Sequence, residues 1–252
     1  MISKDMMSRE VREVYSYTME YDRMVRSHLR KREQKPQKQE ELFCWRNYSK
    51  TVEKEISFPI YKGEYLAVQI HQEIAEILYE DFSKDVKVSV IRESPTVSMI
   101  FPELDYMDNL CMALSRRMKN LWGNHKIRHN IRQEYEKILG DEVFEMPVDA
   151  LSEKQKYQLV YARVMLQNPQ IVFCIKPFKG ADLTHRMVVW KLLEAFLEKG
   201  ITVVDLSLNL SDSLSLADRL LLIQTDGCVK EIRKEEFASV SRQIPWRHIY
   251  KK

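Results

Sequence analysis

The sequence predicts an α/β fold: a parallel sheet core with crossover helices, a β-rich N-terminal part and a helical subdomain. Three observations predict it. From Gln170 to Gln224, short apolar runs alternate with helical patterns, a β-α-β-α-β order that favours a parallel sheet. The stretches "ELFCWRNYSK" and "EISFPIYKGEYLAVQI" read as strands around a turn at Lys62-Gly63. Between them and the alternation, the patterns are mostly helical.

The elements follow in order. Val11, Val14, Tyr15, Thr18, Tyr21, Met24, Val25 and Leu29 recur near helical spacing, so residues 7–31 predict an amphipathic helix. It is either solvated or docked on a partner or on this domain. "KREQKPQKQEE" is a polar linker. After the N-terminal strands, residues 72–82 read as a helix and "VKVSVI" as a strand. Residues 105–120 and 126–139 read as helices, the second stopped by Gly140. "LSEKQ" opens another helix, with Ser152 and Gln155 spaced as a capping box. "QIVFCI", short, apolar and followed by Pro177, is a buried strand. Residues 184–198 form a helix stopped near Gly200. "ITVVDLSL" and "RLLLIQ" are strands flanking a short helix.

At 252 residues the chain is long enough for a sizeable core without staples. A net charge of +3 gives no push towards nucleic acid. The cysteines Cys44, Cys111, Cys174 and Cys228 form no CxxC pair, so neither a zinc site nor a disulfide framework is indicated; Cys44 and Cys174 read as core. No run of about 18 apolar residues could span a bilayer. The expected location is the cytoplasm, including a peripheral place at the inner face of the membrane, with membrane contact only through partners.

The element order from about 42 to 230 resembles the nucleotide-binding domain of ABC transporters, above all the degenerate second half of sugar-importer ATP-binding subunits. "LSEKQKYQLVYARVMLQNPQIVF" is similar to the family's LSGGQ signature and the helix and strand after it, through Leu151, Ser152, Gln155, Ala162, Arg163 and Pro169. "KPFKGAD" is similar to Glu-Pro-Thr-x-x-Leu-Asp, through Pro177, Gly180 and Asp182, the last two in the place of the D-loop. "TVVDLSLNLSDSLSLADRLLLI" resembles the switch strand and its helix, through Ser207, Ala217, Asp218 and Arg219. "FPELDYMDNLCM" resembles the link from the core to the helical subdomain, through Asn109 and Leu110. The resemblance implies a charged helical extension and linker over 1–41, then a degenerate ABC-type nucleotide-binding domain over 42–252, its helical subdomain at about 103–165.

The resemblance also marks what has been replaced. The family's phosphate loop needs glycines, whose backbone N–H groups reach the phosphates, and a lysine for the β/γ charge. Here no glycine lies between Gly63 and Gly123 and no lysine between Lys62 and Lys84. His71, near the missing turn, reads as a surface cap rather than a phosphate ligand. The Walker B acids, which would hold Mg²⁺ and polarise water, are replaced by Ile175 and Lys176. The switch position is Leu208. Thr51 and Val52 stand about where an aromatic would stack on adenine. "VIRESPTV", in the place of the glutamine loop, has no glutamine. Glu153 and Lys154 replace two signature glycines that approach a neighbour's phosphate, so Glu153 is expected to repel it.

The implied reading is a non-catalytic ABC cassette paired with an active ATP-binding subunit or with importer permease subunits. No cofactor is expected. The alternatives are a genuine ATP-binding subunit with a rebuilt site, which would take Mg·ATP, and a stand-alone regulatory or scaffold module. The signature-like residues Ser152, Glu153, Lys154 and Gln155 are expected to form an interface; the bland alternative is a capped helix start. His125 and His129, spaced i, i+4, suit a metal in principle, but an exposed basic helix face is the expected reading. "KNLWGNHKIRHNIRQ" could touch RNA or lipid headgroups; a solvated face is expected instead.

Overall fold

The computed structural model describes residues 20, 23–24, 40–49, 54–69, 87–114, 125–207, 213–223 and 227–237. Strands β1 (Glu41–Ser49) and β2 (Lys54–Tyr61) form an antiparallel two-stranded sheet. In β2, Ile56, Phe58 and Ile60 are buried and alternate with less buried neighbours, the period-2 signature of a sheet with one buried face. The turn at Lys62-Gly63 forms as the sequence predicts, but the strands it joins do not pair. It passes the chain from the small sheet into β3 (Tyr65–Gln69), a strand of the large one. Gly63 takes a positive φ of 72° there, and its N–H donates to Thr202 Oγ1 at 2.8 Å.

Strand β4 (Val88–Ile91) leads into a one-turn helix α1 (Pro95–Ser98) and then α2 (Tyr106–Cys111), whose N-cap Asp105 accepts from the Asp108 N–H. The helix expected over 105–120 is therefore α only to Cys111, tightens to a 3₁₀ turn at Met112–Leu114, and thereafter lies outside the described residues. Helix α3 (His125–Leu139) ends at Gly140, whose N–H closes the last turn on Glu136 O at 2.8 Å and whose φ is 83°. Helix α4 (Glu153–Leu166) starts at the predicted capping box. Then come β5 (Ile171–Ile175), α5 (Leu183–Glu198), β6 (Thr202–Ser207), β7 (Arg219–Ile223) and β8 (Val229–Arg233). Between β6 and β7 the described element is a short 3₁₀ helix, Ser213–Ser215.

The large sheet has the order β4-β5-β6-β3-β7-β8. Its first five strands are parallel, as the alternation predicts; β8 is antiparallel on β7 and was not expected. "VKEIR" is too polar to read as a strand, and a single inward residue, Ile232, is buried. Central strands β5 and β6 are buried along their whole length because both sheet faces are covered. On one face the hairpin packs Trp45, Ile56, Phe58 and Ile60 against Leu66, Phe173, Ile175 and Leu206. On the other the helices bring in Tyr161, Trp190 and Phe196.

Two polar devices join these layers. Arg219, 4% exposed, makes paired hydrogen bonds to both Glu64 oxygens (3.1 and 2.9 Å), a third to Glu231 (2.9 Å), and lies over the Tyr61 ring. Asp205, fully buried on β6, accepts from the Tyr65 hydroxyl (2.8 Å) and from the hydroxyls of Ser207 and Ser213. Of the N-terminal segment, Glu20 pairs with Lys191 of α5 at 3.3 Å and Met24 packs on the helical side of the core.

Candidate functional site

Because β3, β5 and β6 run parallel and in register, Gln69 beside Ser207 and Ile175 beside Leu206, their carboxyl ends share one edge of the sheet. Open α/β sheets use that edge for ligands. The structure brings Ile175 and Lys176 to it. Ile175 is the buried last residue of β5 and belongs to the apolar cluster under the hairpin. Lys176 follows with a left-handed backbone, φ 47°, which costs a non-glycine residue roughly 1–2 kcal/mol. Its N–H donates to Leu206 O at 2.9 Å, and its carbonyl accepts from Lys179 N–H at 2.9 Å, closing a turn into α5.

The Lys176 side chain is 11% exposed and pairs with Glu93 at 2.9 Å; Lys179 binds the other Glu93 oxygen. Both ammonium groups, Lys179 foremost, hold the Glu93 carboxyl below its usual range, against a smaller opposing effect of burial. Glu93 lies just beyond β4. The next residue, Ser94, is also left-handed at φ 53°. Pro95 then starts α1, where its missing N–H costs nothing.

The signature-like residues stand on the neighbouring helix start. Ser152 Oγ accepts from Gln155 N–H at 3.3 Å, and Gln155 Oε1 accepts from both the Ser152 N–H (2.8 Å) and its hydroxyl (2.7 Å). Lys154 is exposed. Glu153 does not point freely outward: its carboxylate accepts from the Thr96 hydroxyl of α1 and lies 3.8 Å from Lys156. One helix turn pair further, Arg163 is 5% exposed, donates to Met99 O, and lies 5.6 Å from the Phe101 ring centroid. Its second terminal nitrogen is buried without a hydrogen-bond partner among the described residues.

Gly180 and Asp182 sit between β5 and α5. Gly180 has φ 72°, and Asp182 caps α5 by accepting from the His185 N–H at 2.8 Å, with His185 Nδ1 at 3.0 Å. Leu208, His71, Thr51, Val52 and the predicted helix 72–82 lie outside the described residues. His125 and His129 are both exposed, and no group of three potential metal-ligating side chains occurs among the described residues. Cys174 is buried and Cys44 only partly so.

No protein-family model matches the chain. Its sequence is similar to the xylose import ATP-binding protein XylG of Burkholderia ambifaria, 31% identical over 78 residues, which covers 31% of this chain and 15% of that protein. It is also similar to the ribose import ATP-binding protein RbsA of Ruegeria, 29% identical over 83 residues, or 33% of this chain and 16% of that one. The chain thus spans about a sixth of the length of these curated relatives. Among solved structures, cbiO1 from Clostridium perfringens, part of the ABC transporter complex cbiONQ, superposes with a TM-score of 0.64 at 15% identity, covering 83% of this chain and 98% of that one. The ADP conformation of MJ1267, an ATP-binding cassette of an ABC transporter, gives 0.60 at 15% identity, covering 81% and 95%. The fold is that of an ATP-binding cassette.

A magnesium–nucleotide complex at the β5 end of such a cassette needs oxygen donors. This cassette offers an aliphatic Ile175, an ammonium on Lys176, and a Glu93 carboxylate already balanced by two lysines. Asp205, one strand over, is fully buried and spends its oxygens on three hydroxyls. Among the described residues, this donor set makes an ion pair and does not fit a divalent cation. The cassette residues that sequence reasoning missed are Glu93, Thr96 and Asp205. A signal existed for two: an acid stands in "VIRESPTV" where an amide is expected, and an acid interrupts the apolar run "TVVDL".

Proposed function

We propose that this chain is a non-catalytic ATP-binding-cassette protein that serves as a pseudo-ATPase subunit of a sugar importer. It sits at the cytoplasmic face, held there by permease subunits or by an active ATP-binding subunit. The observation that carries the reading is the β5 edge: Ile175 offers no oxygen donor to a metal, and the Lys176 ammonium, paired to Glu93, stands where a carboxylate that polarises water would be needed. A protonated lysine cannot serve as the general base for water. The sugar-import role is supported by the relatives' names, XylG and RbsA, over the matched third of this chain.

A partner-facing surface is supported by the segment after Glu93. Val97 is 82% exposed and Phe101 42%, the two large apolar side chains left open among the described residues. Phe101 adjoins Arg163, a buried cation with no carboxylate partner among those residues, which suits a permease segment offering an apolar side chain and an acceptor. No helix among the described residues is long and apolar enough to cross a membrane.

The test has two arms. Calorimetry of the chain at millimolar Mg·ATP is expected to be flat; a saturable micromolar isotherm overturns the non-catalytic reading. Pull-down from the native host is expected to recover permease or ATP-binding subunits, and Val97→Asp is expected to lose them. Recovery of neither class overturns the importer assignment.

A further inference from the structure

The segment 92–101 is the strap by which the chain leaves the sheet for the helices, and it is tied at several points. Thr96 donates to Glu153 at the start of α4. Met99 O accepts from Arg163. Phe101 exchanges two 2.9 Å hydrogen bonds with the Asn109 side chain, N–H to Oδ1 and Nδ2 to O. Those three ties go to helices. The tie to the sheet edge is ionic: Glu93 to Lys176 at 2.9 Å and to Lys179.

We infer that the Glu93–Lys176–Lys179 triad is a built-in latch that holds strap 92–101 on the carboxyl edge of the sheet without any bound nucleotide or metal. The cation is part of the chain, on a side chain 11% exposed, so it is present in every molecule at every ligand concentration. The backbone is shaped for it from both sides. Lys176 and Ser94, the residues that aim the two partners, each adopt a left-handed conformation that a non-glycine residue holds only when its surroundings fix it. The strap carries the exposed Val97 and Phe101, so the latch presents that surface in one position permanently rather than in response to a ligand. The inference rests on the non-catalytic reading, since a bound Mg·ATP at this edge would compete for Glu93.

Hydrogen exchange measured by mass spectrometry on the whole chain tests it. In the wild type, exchange over 93–101 is expected to be the same with and without Mg·ATP. Glu93→Gln is expected to speed exchange there about two- to fivefold, with β5 and α4 unchanged, the scale of a partly exposed ion pair. In 1 M NaCl the wild type is expected to move towards the variant and the variant not to move, because only the ion pair is screened. If Glu93→Gln does not fold, Lys179→Met, at a 60% exposed side chain, gives a smaller shift of the same kind. Unchanged exchange in the variants, or an equal salt response in wild type and variant, overturns the latch. A saturable ATP isotherm overturns the non-catalytic reading on which the latch rests, whereas a flat isotherm with unchanged exchange in the variants overturns the latch alone.

Discussion

Placing acids at the β5 edge is expected to damage the protein without creating an ATPase. In the double variant Ile175→Asp, Lys176→Glu, the first change removes a side chain 8% exposed in an all-buried strand, worth about 1.5–3 kcal/mol of burial. It also leaves a carboxylate in the apolar cluster of Trp45, Phe58 and Leu206, at a further roughly 1–3 kcal/mol if it finds no partner. The second change removes the 2.9 Å partner of Glu93 and puts a like charge in its place, costing about 1 kcal/mol at this exposure. The sum, about 3.5–7 kcal/mol, lowers the melting temperature by roughly 7–28 °C for a chain of this size. Differential scanning calorimetry reads that shift, and a phosphate-release assay against a matched blank reads turnover. Adding Glu93→Gln to the double variant is expected to recover a few degrees, since it removes the like charge. A melt within about 2 °C of wild type would refute the packing argument, and turnover above the blank would refute the chemical one.

Three further outcomes follow from the same geometry. Arg219→Met leaves Glu64, 4% exposed, as a buried unpaired carboxylate and is expected to cost about 3–5 kcal/mol in urea unfolding, with Glu64→Gln in the same chain restoring much of it. Because Glu93 has a depressed folded pKa, its pairing stabilises the protein above the unfolded carboxylate value of about 4.3 and is lost as pH falls through the lower folded value; Glu93→Gln is expected to flatten the melting temperature against pH below about pH 5. Glu153→Gly frees Thr96 and removes a charge from the helix start, so it is expected to lower stability by about 1 kcal/mol while strengthening Mg·ATP-dependent pull-down of an active cassette; Ser152→Arg at the same face is expected to abolish that association, and intact association would reduce "LSEKQ" to a capped helix start.

The large sheet was legible because its strands advertise themselves: "IVFCI" and "TVVDLS" are short, apolar and bounded by turn residues, and parallel strands buried on both faces must look so. The capping box at Ser152 was legible because its two partners are three residues apart. Polar β8 was not, since one buried residue in five gives no period to read. Nor could the sequence tell that β2 and β3, joined by a tight turn, belong to different sheets. That is settled by pairing with β6 and β7, roughly 140–150 residues away along the chain.

The same distinction separates what could be read of the site. Ile175 and Lys176 are visible one residue at a time, so the lack of a carboxylate at those two positions needs only the sequence. The consequence is relational. A lysine at the end of a buried strand is costly unless its charge is met, so Lys176 implies an acid somewhere within reach. The sequence alone leaves several candidates, because the partner is 83 residues away along the chain and is brought close only by the β4–β5 pairing. The pairing makes the choice: β4 ends beside β5, and the first acid past its end is Glu93. The charge at this edge is therefore a fixed ammonium just past β5 with its carboxylate on the strap. Such a pair satisfies both burial and charge from within the chain, which is why this edge can keep its shape without an ion from solution.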